Sequence, residues 1–342
     1  LLTPLILTLA SAALAQSTAP TNAPSTGWIA AEGGGMSSCD GWTKELFGWM
    51  VDRASPLAQG RKVRAVILGA IPLDEPDERL AVFESLGAEA QGLVIDQSNA
   101  NANEPTKALA AADIIFIRGG DQSRYVNWWK GTATEAAIRS VFERGGVIGG
   151  TSAGCAILGE VSYDAKTGSL SSDEALTNAT HANISLTTGF LNFCPGVLFD
   201  THFTERSRLA RAAVLLAHAN ANREVPIQAL GVDPCTAVIV SPTGERSVKG
   251  RGQVTQLEYV PANSTSPTSA TLHTNMPPVV GPLSMAIYAH GQTIGAANPP
   301  HADAPNSSTR TTVLGITWNR RSAQELQSFL MMGAAERDLR TL

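Results

Sequence analysis

The stretch GGVIGGTSAGCAILGE, residues 145–160, decides the fold, because it contains a G-x-S-x-G motif where a strand changes into a helix. An apolar run ending at Val147-Ile148 predicts the strand, and the small and apolar residues after the motif are compatible with a helix. A serine at such a turn is held in strained backbone geometry with its hydroxyl exposed, and the following N–H points towards a developing oxyanion. The sequence therefore predicts Ser152 as a nucleophile and Ala153 as an oxyanion-hole donor, against the alternative of a serine in an ordinary glycine turn.

Apolar runs alternate with amphipathic segments around this motif, which is the pattern of a parallel sheet flanked by helices. The predicted strands cover residues 28–35, 62–71, 89–96, 112–120 and 145–152. The predicted helices cover residues 40–53, 77–86, 106–112 and 134–144. We expect an α/β fold with a three-layer, doubly wound and mostly parallel sheet, in one domain over residues 28–342.

The chain after residue 225 changes to short β-like runs separated by turn signals such as SPTGE and KGRGQ. These runs predict an antiparallel C-terminal β extension of the same sheet over residues 225–320, with exposed loops at 261–280 and 295–310. An amphipathic segment over residues 322–338 predicts a closing helix.

The first fifteen residues predict a signal peptide, because they are apolar and small and end in the A-x-A pattern Ala13-Leu14-Ala15. We expect a secreted, extracellular protein with a flexible segment over residues 16–27. The 342 residues carry a net charge of −5, which supplies no global basic field and argues against nucleic acid as a partner. No later apolar run approaches the roughly 18 to 20 residues of a membrane span.

Export makes disulfides and N-linked glycans chemically permissible. Four N-x-[ST] sequons, which suggest a glycoprotein, begin at Asn178, Asn183, Asn263 and Asn306. Four cysteines allow three pairings, and Cys194 with Cys235 is the pairing favoured here. No C-x-x-C pair suggests a metal site.

A serine nucleophile needs a general base, and the chain has six histidines. His202 follows the apolar run VLFD (197–200) and precedes the helical run ERSRLARAAVLLAHA (205–219). We expect it at the same carboxyl edge of the sheet as Ser152, where open α/β sheets place their sites. His202 is therefore the predicted base, with a hydrogen-bonded structural histidine as the alternative.

The base in turn needs a carboxylate that fixes its tautomer and stabilises the imidazolium. The acids between the serine and the histidine are Glu160, Asp164, Asp173, Glu174 and Asp200. Glu174 is the predicted triad acid because it preserves the chain order serine, acid, histidine of other hydrolases with this turn. The alternative is that residues 172–176 only form the capped first turn of a short helix.

The strand predicted over residues 112–120 ends in two further glycines. In an open α/β sheet this turn belongs to the edge that carries the site. Gly120 is therefore predicted to bring a second backbone N–H to the oxyanion, and Gln122 to face the substrate.

Three arginines, Arg206, Arg208 and Arg211, follow His202 on one predicted amphipathic helix. A solvated helix face is the default interpretation of such charges. Next to a triad they would also suit carboxylate groups of a substrate, since guanidinium binds carboxylate bidentately.

Segments of the chain, taken in order, resemble the cyanophycinase and peptidase E family of serine peptidases. They are FIRGGDQSRY (116–125), GGVIGGTSAGCAILGE (145–160), SSDEALTN (171–178), FDTHFTERSRLAR (199–211) and GVDPCTAV (231–238). The resemblance implies a flavodoxin-like or class I glutamine amidotransferase-like sandwich with a Ser-His-acid triad, no metal and no organic cofactor. It also implies peptide substrates with aspartyl groups and a homodimer.

The resemblance assigns the nucleophile and the base to the serine and histidine already named. It places Gln122, Asp200, Thr201, Arg206 and Arg211 at the substrate site. An acid at position 200 could pair with a substrate arginine, while the arginines hold aspartyl carboxylates.

Two residues differ from the family pattern, and both differences leave open whether the chain cleaves cyanophycin. Thr201 stands where glutamine is common, and Pro234 stands where an acid is usual. The expected function is a secreted serine peptidase that cleaves aspartyl or β-aspartyl bonds. The rival functions are a non-catalytic secreted binding protein on the same scaffold and an esterase that shares only the G-x-S-x-G turn.

Overall fold

The computed structural model describes residues 26–73, 77–259, 283–295 and 310–313. The predicted signal peptide, the loop at 261–280 and the predicted helix over 322–338 lie outside these residues. Within the described ranges, no helix combines the length and the apolar character that a membrane crossing requires.

Strands and helices alternate along the described chain up to residue 220, and only strands follow. The strands are β1 (Trp28–Glu32), β2 (Arg64–Gly69), β3 (Glu89–Val94), β4 (Ile114–Ile117), β5 (Val147–Thr151), β6 (Gly159–Tyr163), β7 (Leu186–Thr188), β8 (Cys194–Asp200), β9 (Gln228–Val232), β10 (Thr236–Val240), β11 (Arg246–Gly250), β12 (Val254–Tyr259), β13 (Leu283–Tyr288), β14 (Thr293–Ile294) and β15 (Arg310–Val313). The helices are α1 (Trp42–Ala58), α2 (Glu78–Ser85), α3 (Asn103–Ala110), α4 (Gln122–Trp129), α5 (Ala133–Glu143), α6 (Ala153–Ala156), α7 (Ser172–Thr177) and α8 (Leu209–Asn220).

The first sheet has the strand order β14-β11-β10-β1-β5-β4-β2-β3. Its strands β1, β5, β4, β2 and β3 run parallel to one another. Strand β4 shows how helices cover both faces, because Ile114 and Phe116 pack with α1 and α2 side chains while Ile115 and Ile117 pack with those of α4 and α5. The predicted α/β class and the five predicted parallel strands are confirmed.

The second sheet, of order β15-β13-β12-β9-β8-β6-β7, corrects the expectation that all late strands extend one sheet. Strands β10, β11 and β14 do continue the first sheet, whereas β9, β12, β13 and β15 join the second. The reason is that β8 and β9 are apolar on both faces. Phe199 and Leu230 pack towards the first sheet, and Leu198 and Ala229 pack against α8.

Two helices differ from the sequence prediction near the carboxyl edge of the first sheet. The sequence pattern does not predict α4, whose N-terminus is capped by Asp121 through a 2.9 Å bond from the Ser123 N–H. Helix α8 begins at Leu209 rather than at 205, because the preceding residues form an irregular turn. In that turn, His202 and Ser207 have positive φ angles of 47° and 51°. The candidate base therefore lies on a turn between strand and helix.

A disulfide joins Cys39 to Cys235 across 196 positions of the chain. The expected pairing of Cys194 with Cys235 is wrong, because Cys194 begins β8 in the core between the sheets, where it is a buried free thiol. Cys235 lies in the turn before β10, and its N–H donates to the carbonyl of Gly34 at 2.9 Å. The disulfide thus fastens the loop after β1 to a late turn.

Candidate active site

Ser152 occupies the turn between β5 and α6, where its φ of 51° and ψ of −113° are strained for a residue with a side chain. Its N–H donates to the carbonyl of Glu32 at 3.0 Å. Glycines are required on both sides, because a Cβ on Gly150 would collide with the carbonyl of Gly154, and one on Gly154 with the carbonyl of Ile117. The predicted strand-to-helix turn is present and presents the serine side chain at the sheet edge.

His202 meets this serine, with its Nε2 at 3.0 Å from the Oγ of Ser152. It arrives from the end of β8 in the second sheet, not from the first sheet as expected. Its backbone N–H donates to the carbonyl of Gly33 at 2.7 Å, which holds the two sheet edges together at this point. Burial lowers the pKa of His202, so the imidazole is neutral near pH 7 and can accept a proton.

Glu205 completes the arrangement from the same turn, with its Oε2 at 2.5 Å from the Nδ1 of His202. This contact raises the pKa of His202 against the larger lowering by burial. A carboxylate on Nδ1 fixes the tautomer that leaves Nε2 free to accept the serine proton. The arrangement is therefore that of a serine, histidine and acid triad.

Glu174, the predicted triad acid, is placed elsewhere by the structure. It stands at the third position of α7, where its Oε2 accepts bonds from the N–H and hydroxyl of Ser171 at 2.7 and 2.9 Å. This is a capping box, the alternative that the sequence pattern left open. Glu205 follows His202 in the chain, so the order serine, acid, histidine of other hydrolases does not predict it.

Pro234, where an acid is usual in the family pattern, lies close to the loop that touches the histidine. A Cβ on Gly35 would lie 3.0 Å from the Cβ of Pro234, and one on Gly34 would overlap the ring of His202. Position 234 therefore offers no carboxylate to the histidine, and the carboxylate that contacts it belongs to Glu205.

The predicted oxyanion-hole residues lie next to the serine. Ala153 follows it directly, and a Cβ on Gly119 would be 3.3 Å from the Cβ of Ser152. The hydroxyl of Tyr125 fixes this second turn by bonding the carbonyls of residues 118 and 119 at 2.8 and 3.1 Å. Gly120 has a φ of 137°, which glycine adopts readily. The role of Ala153 and Gly120 as donors stays a prediction.

Asp200 and Arg211, both predicted to lie at the substrate site, form a buried ion pair with each other. The Nε of Arg211 donates to Oδ2 of Asp200 at 3.0 Å, and its Nη2 donates to Oδ1. Its Nη1 donates to the carbonyl of Leu170 at 2.9 Å. Both side chains are almost fully buried, and the pair fastens α8 to β8, so their contact with substrate stays a prediction.

Thr201 is buried as well, and its carbonyl accepts a 2.7 Å bond from Nη1 of Arg208. This contact fixes the backbone just before the catalytic turn. The contact of Thr201 with substrate that the resemblance implies stays a prediction.

Arg206 and Gln122 remain accessible to a ligand. The side chain of Arg206 is 51% exposed, and its Nε lies 3.8 Å from Oε2 of Glu205. Gln122 is half-buried, and its Nε2 donates to the carbonyl of Tyr163 at 3.3 Å. Their substrate contacts stay predictions.

Glu32 is buried next to the turn that carries Ser152, and its side chain bonds residues of three different segments. Its carboxylate accepts bonds from the Gly34 N–H at 2.9 Å, the Trp42 Nε1 at 3.3 Å and the Thr151 hydroxyl at 2.5 Å. Burial raises the pKa of Glu32 to about 8, although these three bonds act in the opposite direction. The carboxyl group is therefore protonated in the folded protein near neutral pH.

We expect Glu32 to make the protein less stable as the pH rises from about 5 to 8. Across this interval the unfolded chain ionises the carboxyl and the folded chain keeps its proton. The free energy of unfolding should fall by up to about 1.4 kcal/mol per pH unit from this group. E32Q, which cannot ionise, should show a flatter dependence in urea unfolding measured at several pH values. An unchanged slope in E32Q would show that the carboxyl already ionises normally.

We expect G34A to damage the site beyond its effect on folding. Gly34 has a φ of 114°, and an added Cβ would lie well within the van der Waals contact distance of Nε2 of His202. Because that nitrogen bonds the serine, its displacement should lower kcat/KM by about 100-fold. G60A is the matched control, since Gly60 has a φ of 89° and nothing within 4 Å of an added Cβ.

Both glycine variants should lose about 1 kcal/mol of stability from the positive φ. Only G34A should lose activity, as measured by peptide hydrolysis beside thermal unfolding. Equal activities in the two variants would mean that the loop around Gly34 accommodates the added methyl group without displacing His202.

A metal-dependent site is not indicated by side-chain clustering. In the part of the chain that the structure describes, no group of three histidine, cysteine or acidic side chains could hold a metal ion.

Known proteins resemble this chain in sequence. The profile of peptidase family S51 matches residues 77–241. A cyanophycinase of Synechococcus elongatus is 31% identical over 235 residues, covering 66% of this chain and 68% of the relative. A cyanophycinase of Trichormus variabilis is 27% identical over 216 residues, covering 62% and 67%.

Among solved structures, a peptidase from an acI-B1 Actinobacterium superposes with a TM-score of 0.55 at 18% identity. It covers 80% of this chain and 98% of its own, which supports the fold. On the strength of the sequence matches, the chain belongs to peptidase family S51 and is a serine-type peptidase similar to the cyanophycinases.

Proposed function

We propose that this peptidase cleaves aspartyl or β-aspartyl amide bonds with a triad of Ser152, His202 and Glu205. The observation that carries the proposal is a continuous chain of contacts from hydroxyl to carboxylate. The serine Oγ lies 3.0 Å from Nε2, and Nδ1 lies 2.5 Å from the glutamate Oε2. These are hydrogen-bond distances for a nucleophile, its base and the group that orients the base.

Acylation follows from this arrangement. Nε2 of His202 takes the hydroxyl proton as Oγ of Ser152 attacks the amide carbon, and Glu205 stabilises the imidazolium that forms. The N–H groups of Ala153 and Gly120 stabilise the negative oxygen of the tetrahedral intermediate. The imidazolium then gives its proton to the leaving amine, the C–N bond breaks, and the acyl group stays on the serine as an ester.

Deacylation uses the same groups in reverse. Water attacks the ester carbon and gives one proton to Nε2 of His202, and the intermediate collapses when this proton returns to the oxygen of Ser152. The products are the free acid and the restored hydroxyl. No further reactant is needed.

The aspartyl specificity rests on the relatives and on positive charge beside the site. The similar proteins are named cyanophycinases. Arg206 is half-exposed one residue after the triad glutamate, where it can reach a carboxylate of a bound peptide. Asp200 and Arg211 are engaged with each other, so the proposal does not use them.

We further propose that the protein works outside the cell. The apolar first fifteen residues with their A-x-A end support export. The bridge between Cys39 and Cys235 supports it independently, since disulfides persist mainly in oxidising compartments.

The proposal is tested by incubating the purified protein with Asp-Leu, its β-aspartyl isomer, Ala-Leu, cyanophycin and p-nitrophenyl acetate. We expect release of amine from one or both aspartyl peptides, and much less from Ala-Leu. Hydrolysis of the acetate ester alone would identify an esterase, and no hydrolysis of any compound would favour a binding protein. Either result would contradict the proposal.

A further inference from the structure

Asp233 is a buried acid that binds the turn carrying the histidine and the glutamate of the site. It follows β9 directly and is 6% exposed. Its Oδ1 accepts the backbone N–H of Thr204 at 3.0 Å and the hydroxyl of Thr204 at 2.8 Å. Thr204 lies between His202 and Glu205 in the chain, so these two bonds fix the backbone from which both side chains project.

The carboxylate of Asp233 is itself held by the second sheet. Its Oδ2 accepts the N–H of Gln253, just before β12, at 3.2 Å, and its backbone N–H donates to the carbonyl of Gln253 at 3.1 Å. Little space surrounds the side chain, because a Cβ on Gly252 would lie 2.7 Å from the Cβ of Asp233. Asp233 is therefore fixed relative to β9 and β12, and it fixes what it binds.

The turn needs such support because its backbone is strained. His202 and Ser207 have positive φ angles of 47° and 51°. Residues with a side chain keep such conformations only where the surrounding structure imposes them. The N–H of Phe203 donates to the carbonyl of Val232 at 3.2 Å, beside the bonds from Thr204 to Asp233. Two consecutive residues after β8 are thus bonded to two consecutive residues at the end of β9.

Glu205 depends on this backbone because its own side chain is 52% exposed. Its carboxylate meets Nδ1 of His202, and the half-exposed Arg206 has its Nε 3.8 Å away. An exposed side chain loses rotamer entropy when it keeps one geometry, and a fixed backbone limits the positions that it can adopt. The contact between glutamate and imidazole therefore depends on where residue 204 is held.

We propose that Asp233 is a positioning residue for the triad, which keeps Glu205 on Nδ1 of His202 through its two bonds to Thr204. The inference rests on the proposed function, since it takes Glu205 as the acid of the triad. Without these bonds the strained turn relaxes, the glutamate leaves the imidazole, and the histidine becomes a weaker base. Asp233 acts through the turn and needs no contact with the substrate.

The test measures how fast a fluorophosphonate probe labels Ser152, because this rate reports activation of the serine whatever peptide the enzyme prefers. D233A should be labelled about 10- to 100-fold more slowly than the unmodified protein. Burial lowers the pKa of His202 and the contact with Glu205 opposes this, so the acid limb of the rate profile should also move to lower pH. A loss of stability alone would not move this limb.

A double-mutant comparison separates positioning from a general effect on the fold. In protein that carries E205Q, adding D233A should slow labelling by no more than about twofold, because the contact that Asp233 supports is already lost. An additive effect of the two substitutions would mean that Asp233 acts independently of the glutamate.

Thr204 supplies a second and milder pair of variants. T204V removes the hydroxyl bond alone and should slow labelling about 3- to 10-fold, and T204S should restore most of that loss. Circular dichroism shows whether each protein is folded. If D233A does not fold, the comparison with and without E205Q is made with T204V.

D96A is the matched control for removal of an acid that binds a turn. One carboxylate oxygen of Asp96 also accepts an N–H and a hydroxyl, those of Ser98 at 2.7 and 2.6 Å, but Asp96 lies just after β3, the outermost strand of the first sheet. Its labelling rate should stay within about twofold of that of the unmodified protein.

Equal slowing by D233A with and without E205Q would overturn the inference, as would an acid limb that does not move. Failure of the proposed function looks different. If E205Q were labelled at the rate of the unmodified protein, Glu205 would not be the acid and the inference would fall with the triad. If the enzyme cleaved no aspartyl peptide while labelling responded as described, only the proposed specificity would be wrong.

Discussion

S152A should abolish hydrolysis, with kcat/KM reduced by about 10³-fold or more while the protein stays folded. The hydroxyl is the group that attacks the substrate, and its contact in the structure is with Nε2 of His202 at 3.0 Å. Alanine keeps the small side chain that the turn accommodates, so the melting temperature should change by no more than a few degrees. Hydrolysis of the aspartyl peptides and thermal unfolding measure the two effects.

A fluorophosphonate probe gives an independent measure of the same nucleophile. Mass spectrometry should find the probe on Ser152 in the unmodified protein and nowhere in S152A. S98A is the control, since the hydroxyl of Ser98 is exposed and bonds Asp96 far along the chain from the triad. If S152A were still labelled and still active, the nucleophile would be another residue and the proposed mechanism would be wrong.

E205Q should reduce kcat by about 10²- to 10⁴-fold, because the amide can no longer stabilise the imidazolium on His202. Since Glu205 raises the pKa of the histidine, its loss should also move the acid limb of the kcat/KM profile to lower pH. A role in folding alone would lower activity without shifting the profile. The measurement is therefore the full pH dependence of hydrolysis.

E174Q is the matched control for the acid, because Glu174 was the candidate that the sequence order favoured. Its carboxylate bonds Ser171 in a helix cap. The variant should lose a little stability and keep its activity within about twofold. The opposite result, an inactive E174Q beside an active E205Q, would restore the acid expected from sequence.

The nucleophile could be predicted because its signal is local. Ser152 lies in a pattern of glycines that only close backbone approach explains, and a strand and helix surround it in the sequence. His202 was predicted from the same kind of local pattern, but for a reason that proved incomplete. The sequence pattern predicts it at the edge of the sheet that carries Ser152, whereas the structure places it after a strand of the second sheet.

The acid and the buried arginine could not be predicted in the same way. Glu205 and Glu174 are both acids in polar segments, and only the irregular turn before α8 decides which one reaches the imidazole. Arg211 follows the triad closely in sequence, yet tertiary packing directs it onto Asp200. Side-chain direction in a turn depends on contacts between distant segments, which spacing alone does not encode.

The pairing of cysteines was wrong for a related reason. The partner of Cys235 lies in the segment after β1, and that segment reaches it only because β1 and β10 are neighbours in the first sheet. The sequence pattern predicts that late strands extend the first sheet, but it does not say which of them lies next to β1. Strand order, more than the distance along the chain, determines which thiols meet.

The bridge between Cys39 and Cys235 also bears on how the molecule would survive a protease in its surroundings. A single nick between these two positions would leave both fragments covalently linked, and the mass would rise only by that of one water until a reductant separates the fragments. The segment enclosed by the bridge contains the serine, histidine and glutamate together. A cleaved molecule would therefore keep these three residues within one covalently linked protein.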